Sequence, residues 1–209
     1  MPDRSRAAVL DRIRQALASA PAETVAVPRD YHREPSTGTG NVERFAETVA
    51  EYRARVHHIE TDAVASTVLG LVGPDATVAV PADLPPEWVR GFRPLADAPA
   101  LSVEQLDRAD AVLTACALGI AATGTIVLDA GSGQGRRALT LVPDHHICVV
   151  RPEQIVDTVP QAFARLTPTR PLTFISGPSA TSDIELQRVE GVHGPRTLDV
   201  LIVGDLTGE

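Results

Sequence analysis

Three loops carry residues whose types and spacing could bind a ligand, and each follows an apolar, strand-like run. The first loop is Gly119-Ile-Ala-Ala-Thr-Gly-Thr125. Glycines such as Gly124 let a backbone approach a ligand closely, and the hydroxyls of Thr123 and Thr125 can donate hydrogen bonds. A turn or β-bulge between two strands accounts for the same residues, so both interpretations stay open.

The second loop, Gly131-Ser-Gly-Gln-Gly-Arg-Arg137, combines three glycines with two arginines. A dinucleotide-binding fingerprint needs glycines at its first, third and sixth positions, between a strand and a helix. Here they occupy the first, third and fifth positions and a strand is expected to follow, which excludes a Rossmann-type site. Either the amides around Gly133 hold a carboxylate or phosphate together with Arg136 and Arg137, or the segment is a hairpin turn with two solvated charges.

The third loop is Gly177-Pro-Ser-Ala-Thr-Ser-Asp-Ile-Glu185. Ligands of open α/β sheets bind beyond the carboxyl ends of the strands, and this loop offers Ser179 and Thr181 as donors and Asp183 and Glu185 as acceptors. Glu185 could act as a base or nucleophile if it is buried. The alternative is a helix-capping segment, since hydroxyl and acidic residues favour a helix N-terminus.

The histidines His145, His146 and His193 are candidate metal ligands. Adjacent histidines in a strand point to opposite faces of a sheet, and nothing in the spacing requires the three to meet. The sequence therefore predicts no metal site.

The composition and charge of the chain disfavour several kinds of partner and site. The chain has 209 residues and a formal net charge of −8, and all 19 of its basic residues other than histidine are arginine. This charge disfavours nucleic acid and anionic membranes as partners, and the lack of lysine excludes a Schiff-base or P-loop lysine. No apolar run approaches the roughly 18 residues of a membrane span, and the N-terminus lacks a secretion signal. We therefore expect a soluble, cytoplasmic protein.

The two cysteines, Cys116 and Cys148, each lie in an apolar run. Such positions are typical of buried thiols that behave as small hydrophobic side chains. Because two cysteines cannot ligate a four-cysteine iron–sulfur cluster, no intrinsic cofactor is predicted.

An N-terminal helix and arm precede the elements that must position these loops. The spacing of Leu10, Ile13 and Leu17 predicts a helix over 5–18, and the proline- and glycine-containing stretch 21–40 predicts an extended arm. We therefore divide the chain into an N-terminal helix and arm, 1–40, and an α/β domain, 41–209.

The domain begins with alternating helices and strands. Apolar residues from Val42 to Val56 recur at intervals of three and four, which predicts a long helix with Asn41 as its N-cap. A strand at 57–60, a helix from Thr61 closed by Gly73, and a strand at 77–80 follow. This alternation indicates a parallel sheet covered by helices.

The middle of the chain differs, because strand-like runs follow one another without helices. Strands are predicted at 111–118, 125–128, 138–142 and 147–150, paired as antiparallel hairpins. A helix at 153–166, a buried strand at 172–175 and a last strand at 198–203 complete the pattern. The predicted fold class is α/β, with a mixed β-sheet flanked by helices.

Taken together, several motifs resemble the lactate-utilisation protein C (LutC/YkgG) family, the LUD domain. They are Gly119–Ile126, Asp144–Ile147, Gly177–Glu185 and Gly191–Pro195, and the resemblance extends from about Ala109 to the C-terminus. It implies a fold similar to the NagB/RpiA/CoA-transferase-like group. It also implies a role in bacterial oxidation of L-lactate to pyruvate beside iron–sulfur partner proteins, which would carry the clusters.

Two other functions remain compatible with the residues. A free-standing enzyme similar to CoA transferases or isomerases would act on a CoA ester, nucleotide or phosphorylated metabolite, with Glu185 as the candidate nucleophile. A regulatory or scaffolding module would use the glycine loops only as turns. Formation of a homo-oligomer is compatible with any of these.

Overall fold

The computed structural model describes residues 3–18, 26–28, 40–178, 180–181, 189–190 and 194–204. The chain divides into two units, Met1–His32 and Arg33–Glu209. The helices are α1 (Asp3–Ala18), α2 (Val42–Glu51), α3 (Val64–Val72), α4 (Val103–Asp107) and α5 (Val159–Arg165). The strands are β1 (Arg55–Ile59), β2 (Thr77–Val80), β3 (Arg93–Ala96), β4 (Ala111–Ala115), β5 (Leu118–Ile120), β6 (Thr125–Leu128), β7 (His145–Val150), β8 (Ile155–Val156), β9 (Thr173–Ile175), β10 (Ala180–Thr181), β11 (Val189–Glu190) and β12 (Thr197–Val203).

The first unit contains helix α1, as the apolar spacing predicts. Its apolar side chains, including Ile13 and Leu17, are exposed. Of the arm predicted at 21–40, the structure describes residues 26–28 and Gly40, and these form neither helix nor strand. None of the helices in the described part of the chain has the length and apolarity that crossing a bilayer requires.

The second unit is built on a six-stranded sheet in the order β1-β12-β7-β4-β2-β3. All of its neighbouring strands are parallel. A second sheet, in the order β8-β5-β6-β9, contains one parallel and two antiparallel pairs. The predicted α/β class with mixed strand directions and flanking helices is confirmed.

Each face of the six-stranded sheet is covered by different elements. On one face, Ile147 and Leu201 pack with Val64 and Val68 of α3 and with Trp88. On the other face, a layer of buried side chains joins the sheet to α2 and to the second sheet; its members include Phe45, Val49, Ile126, Leu128, Cys148 and Val200. Buried parallel strands read as nearly continuous apolar runs, as β7 and β12 do.

Helix α2 starts where the sequence predicts and ends earlier. The Asn41 side chain accepts a hydrogen bond from the Arg44 amide at 2.8 Å, which confirms the N-cap. The predicted extension to Val56 is wrong, since Arg53 adopts a left-handed φ of 68° and Val56 lies in β1. The chain leaves the helix at that residue and turns into the sheet.

Two predicted strands in the middle of the chain are wrong. The run at 138–142 forms consecutive turns, in which the Leu139 amide bonds to the Arg136 carbonyl and the Thr140 amide to the Arg137 carbonyl. Leu139 is buried by this turn whereas Leu141 is 41% exposed. The single strand predicted at 111–118 is two strands, β4 and β5, which belong to different sheets. Consequently β4 and β7 are parallel neighbours. Of the predicted antiparallel hairpins, the structure contains the β5–β6 pair.

Two further predictions, one of a helix and one of a buried strand in the C-terminal half of the chain, need correction. The helix predicted at 153–166 begins only at Val159, because residues Ile155–Val156 form β8 beside β5. The strand predicted as buried at 172–175 is β9, an edge strand in which Phe174 is 45% exposed. Phe174 stacks on Phe163 of α5, and that residue is also exposed.

Candidate functional site

A cleft of about 200 Å³ is lined by residues from both sheets. His146 of β7 and Leu198 of β12 come from the six-stranded sheet, and residues 173–178 come from β9 and the turn after it. The lining is completed by Arg137, Thr140, Gly194 and Pro195. Parts of the second and third loops therefore meet here.

Arg137 provides the positive charge of this cleft. Its Nη1 donates to the Thr140 carbonyl at 2.9 Å and to the Thr140 hydroxyl at 3.1 Å. Burial of the guanidinium lowers its pKa, and no carboxylate of the described residues pairs with it. Because guanidinium remains protonated at neutral pH, the cleft contains a cation without a described counter-charge.

His146 lies at the inner end of the cleft and is 1% exposed. Its Nε2 is 2.9 Å from the Thr114 hydroxyl on β4. This hydrogen bond fixes the ring between the cleft and the layer of side chains beneath it.

The threonines of the first loop reach the cleft indirectly. The hydroxyls of Thr123 and Thr125 lie 2.8 Å apart, and the Thr125 hydroxyl lies 2.8 Å from that of Ser176. Ser176 lines the cleft, whereas the two threonines do not. Their hydrogen bonds position Ser176 at its edge.

The backbone amides of the second loop bind carboxylates of the protein itself. The Gly133 amide donates to Asp83 at 3.0 Å, and the Gly131 amide donates to Asp129 at 3.0 Å. The Gly133 hydrogen bond lowers the pKa of Asp83. This loop has the anion-binding geometry that its glycines suggest, and internal side chains occupy it.

Arg136 is also paired internally. Its Nε and Nη2 donate to the two Asp97 oxygens at 2.8 and 3.0 Å, and Nη2 also donates to the Leu101 carbonyl. These side-chain hydrogen bonds lower the pKa of Asp97. The structure therefore separates the two arginines, since Arg136 ties the loop to Asp97 and Arg137 lines the cleft.

Close packing against α2 leaves no room for a side chain at Gly124. This residue has a φ of 55°, and an added β-carbon would lie 2.6 Å from the carbonyl carbon and oxygen of Thr48 in α2. The Thr48 hydroxyl also donates to the Ala121 carbonyl at 2.7 Å. The close approach expected of this glycine is made to a helix backbone.

The central part of the third loop lies outside the described residues. This applies to Ser179, Asp183 and Glu185, and also to His193. Thr181 lies in β10, paired with β11, and only its backbone is described. The start of the loop, Gly177 and Pro178, lines the cleft.

A cluster of ionisable side chains that the sequence interpretation missed lies on the opposite face of the six-stranded sheet. The side chain of Asp199 is completely buried, and both of its oxygens are bound. His57 Nε2 and His145 Nε2 each lie 2.6 Å from it, and Arg55 donates to it as well. A single acidic residue within the apolar run of β12 is the signal that could have revealed this cluster.

The pKa of Asp199 reflects two opposing effects. Burial raises it, but the hydrogen bonds from His145, His57 and Arg55 outweigh burial and lower the pKa to about 2. His145 and His146 thus serve different faces of the sheet, as alternation along a strand requires. Among the described residues, no three His, Cys, Asp or Glu side chains are placed to hold a metal ion.

Comparison with known families decides the classification. A family model described as the LUD domain matches residues 42–203. This chain belongs to the LUD domain family. The resemblance of the four motifs is thereby confirmed, and the matched residues contain the whole cleft.

One relative of this LUD domain is a protein from Deinococcus radiodurans named "Lactate utilization protein C". The two sequences are 50% identical over 166 residues, and the match covers 77% of this chain and 78% of that protein. A protein of the same name from Shouchella clausii is 34% identical over 114 residues, covering 50% of this chain and 48% of that protein. "Uncharacterized protein YkgG" of Escherichia coli is 32% identical over 114 residues, covering 51% and 49%. The chain thus matches about half the length of the latter two relatives.

The LUD domain also resembles a solved structure. The crystal structure of a DUF162 family protein from Deinococcus radiodurans has a TM-score of 0.66 and 44% sequence identity, and the match covers 78% of this chain and 95% of that one. The α/β architecture is therefore shared with an experimentally determined member.

Proposed function

We propose that this chain is a non-redox subunit or accessory protein of a bacterial L-lactate oxidation system and binds a small anionic ligand in the cleft. The name of the Deinococcus radiodurans relative, which is 50% identical, supports the role in lactate utilisation. Oxidation of a 2-hydroxy acid requires an electron acceptor. With only two cysteines in the sequence, we assign the iron–sulfur clusters to partner proteins.

The anion-binding part of the proposal depends on Arg137. Its side chain is exposed, lines the cleft and has no carboxylate partner among the described residues, so an anion in the cleft can pair with it. A planar guanidinium can bind a carboxylate through two parallel hydrogen bonds. The hydroxyl of Ser176 at the edge of the cleft supplies a further donor or acceptor.

The size of the cleft favours a small anion over the larger ligands of the alternative function. Its volume of about 200 Å³ is below the roughly 300–1,000 Å³ of clefts that enclose drug-sized ligands. A CoA ester or a nucleotide would have to extend beyond it. Glu185, the candidate nucleophile of the alternative enzyme related to CoA transferases, lies outside the described residues.

Replacing Arg137 with glutamine is expected to weaken anion binding at least about tenfold. A hydrogen-bonded charge typically contributes about 1.5–3 kcal/mol, and each 1.4 kcal/mol is about tenfold in affinity. Isothermal titration calorimetry with L-lactate, pyruvate and inorganic phosphate measures the effect. Arg136→Gln is the matched control, because that side chain already pairs with Asp97 and its loss should leave the affinity unchanged.

Two results would contradict anion binding in this cleft. One is a wild-type protein that binds none of the three anions. The other is an Arg137→Gln variant that binds as tightly as the wild type. A thermal-shift screen with CoA esters and nucleotides tests the alternative function, since a ligand at about 100 times its dissociation constant stabilises a protein by roughly 2.7 kcal/mol.

The partner assignment needs a separate experiment. The tagged chain is expected to co-purify with the iron–sulfur proteins of lactate oxidation, and deletion of its gene should impair growth on L-lactate. Failure to associate, combined with unchanged growth on lactate, would contradict the assignment whether or not the cleft binds an anion.

A further inference from the structure

A second cleft, of about 280 Å³, lies at the other end of β7 from the first cleft, which contains Arg137. His146, in the first cleft, is the second residue of β7, whereas Glu153 and Gln154, in the second cleft, follow the carboxyl end of that strand. The crevice beyond the carboxyl ends of the strands is the usual ligand position in open α/β sheets. Among the described residues, none lines both clefts.

The inner wall of the second cleft is a hydrogen-bond network around Asp129, which is buried. Its Oδ1 accepts from the Gly131 amide at 3.0 Å and from Gln134 Nε2 at 2.9 Å, and its Oδ2 accepts from Arg170 Nη1 at 2.6 Å. One carboxylate and one guanidinium of the cleft therefore neutralise each other.

Arg165 and Glu153 carry the other two charges of the cleft. The Arg165 Nη1 donates to the backbone carbonyl of Glu153 at 3.2 Å, which places the guanidinium beside that residue. Both residues are exposed, and within the described part of the chain neither side chain forms an ion pair. A cation and a carboxylate are thus available at neighbouring points of the rim.

The remaining wall of the second cleft is apolar. Leu118 and Leu166 line it and belong to one buried cluster, against which Ala117 packs. The volume of about 280 Å³ is just below the roughly 300–1,000 Å³ of clefts that enclose drug-sized ligands. These properties suit a small molecule that has an aliphatic part.

We infer that the second cleft is a binding site for a free α-amino acid with a small aliphatic side chain. The carboxylate of the amino acid pairs with Arg165, its ammonium group pairs with Glu153, and its side chain contacts Leu118 and Leu166. The cleft has two positive and two negative side chains, so its formal charge of zero matches that of a zwitterion. A simple anion would pair with Arg165 and leave the Glu153 carboxylate unpaired. The inference concerns a different cleft from the proposed anion site and does not depend on the proposed function.

Isothermal titration calorimetry of the full chain with L-alanine, L-valine and L-leucine tests this inference. At least one of the three is expected to bind saturably, with one molecule per chain. Analogues of the tightest binder that lack one charged group should bind at least about tenfold more weakly, because each loses a charge-assisted hydrogen bond. For L-valine these are 3-methylbutanoate, which lacks the ammonium group, and isobutylamine, which lacks the carboxylate.

Substitutions on the rim locate the bound amino acid. Arg165→Gln and Glu153→Gln should each weaken binding at least about tenfold. Arg108→Gln and Glu87→Gln are the matched controls, because both residues are exposed and line neither cleft. Arg137→Gln should also leave the affinity unchanged, since Arg137 belongs to the first cleft. Circular dichroism checks that each variant is folded, and the analogue comparison uses the wild-type chain alone.

Four results would overturn the inference. They are a wild-type chain that binds none of the three amino acids, an analogue that binds as tightly as the amino acid, an unchanged affinity in Arg165→Gln or in Glu153→Gln, and a loss of binding in Arg137→Gln. The last result would place the amino acid in the first cleft.

Discussion

Replacing Gly124 with alanine is expected to destabilise the LUD domain by about 3 kcal/mol, which combines a left-handed backbone penalty of roughly 1–2 kcal/mol with an overpacking cost of about 1–3 kcal/mol. The added methyl group would meet the backbone of Thr48 at 2.6 Å. Backbone atoms cannot rotate aside as a flexible side chain can, so α2 would have to move away from the second sheet. Urea unfolding followed by circular dichroism measures the loss.

Gly70→Ala is the matched control for this substitution. Gly70 lies in α3, is exposed, and has no atom within 4 Å of the position of an added β-carbon. Alanine there should stabilise the protein by about 0.5–1 kcal/mol through its helix propensity. Equal effects of the two substitutions, or an unchanged stability in Gly124→Ala, would show that the contact with Thr48 does not constrain the loop.

Replacing Asp199 with asparagine is expected to cost about 2.5 kcal/mol at neutral pH. The folded-state pKa of about 2 lies below the unfolded-state value of about 3.9, and a difference of that size corresponds to about 2.5 kcal/mol. This stabilisation is present above the unfolded-state pKa and is lost as the pH falls from about 4 to about 2. The asparagine variant cannot show that loss, because it does not ionise.

Urea unfolding of both proteins at about pH 7 and about pH 3 checks this prediction, since the difference between the wild type and Asp199→Asn should fall to about half at pH 3. The control is Asp144→Asn. Asp144 is 70% exposed and lies 3.7 Å from an exposed Arg196, so its loss should change stability by less than about 0.5 kcal/mol. A difference between wild type and Asp199→Asn that stays constant with pH would contradict the assigned role of the carboxylate.

The fold could be predicted from sequence where periodicity and capping agree. Helix α2 is an example, because Phe45 and Val49 recur at helical spacing after the N-cap Asn41. Periodicity fails where an apolar run is short. Residues 138–142 satisfy a strand pattern, yet they form turns in which Leu139 packs against Leu101 and Leu106. These contacts join residues far apart in the sequence, so a pattern read over a short window cannot predict them.

The candidate site was predictable by residue type but not by role. The sequence identifies Arg136 and Arg137 equally, and only the position of Asp97, 39 residues from Arg136, shows which of them is already paired. The role of Gly124 could not be predicted either, because Thr48, the residue it packs against, lies on another element. The importance of Asp199 could have been predicted from the sequence, because a charged residue inside a buried strand requires partners.

The width of the cleft depends on residues that do not line it. His146 and Leu198 belong to one hydrogen-bonded sheet and residues 173–175 to another, so no backbone ladder fixes the distance between its walls. That distance is determined by side chains such as Ile126 and Val200 in the intervening layer. For the proposed anion site, we therefore expect substitutions in this buried layer to change the width of the cleft and the size of anion it accepts.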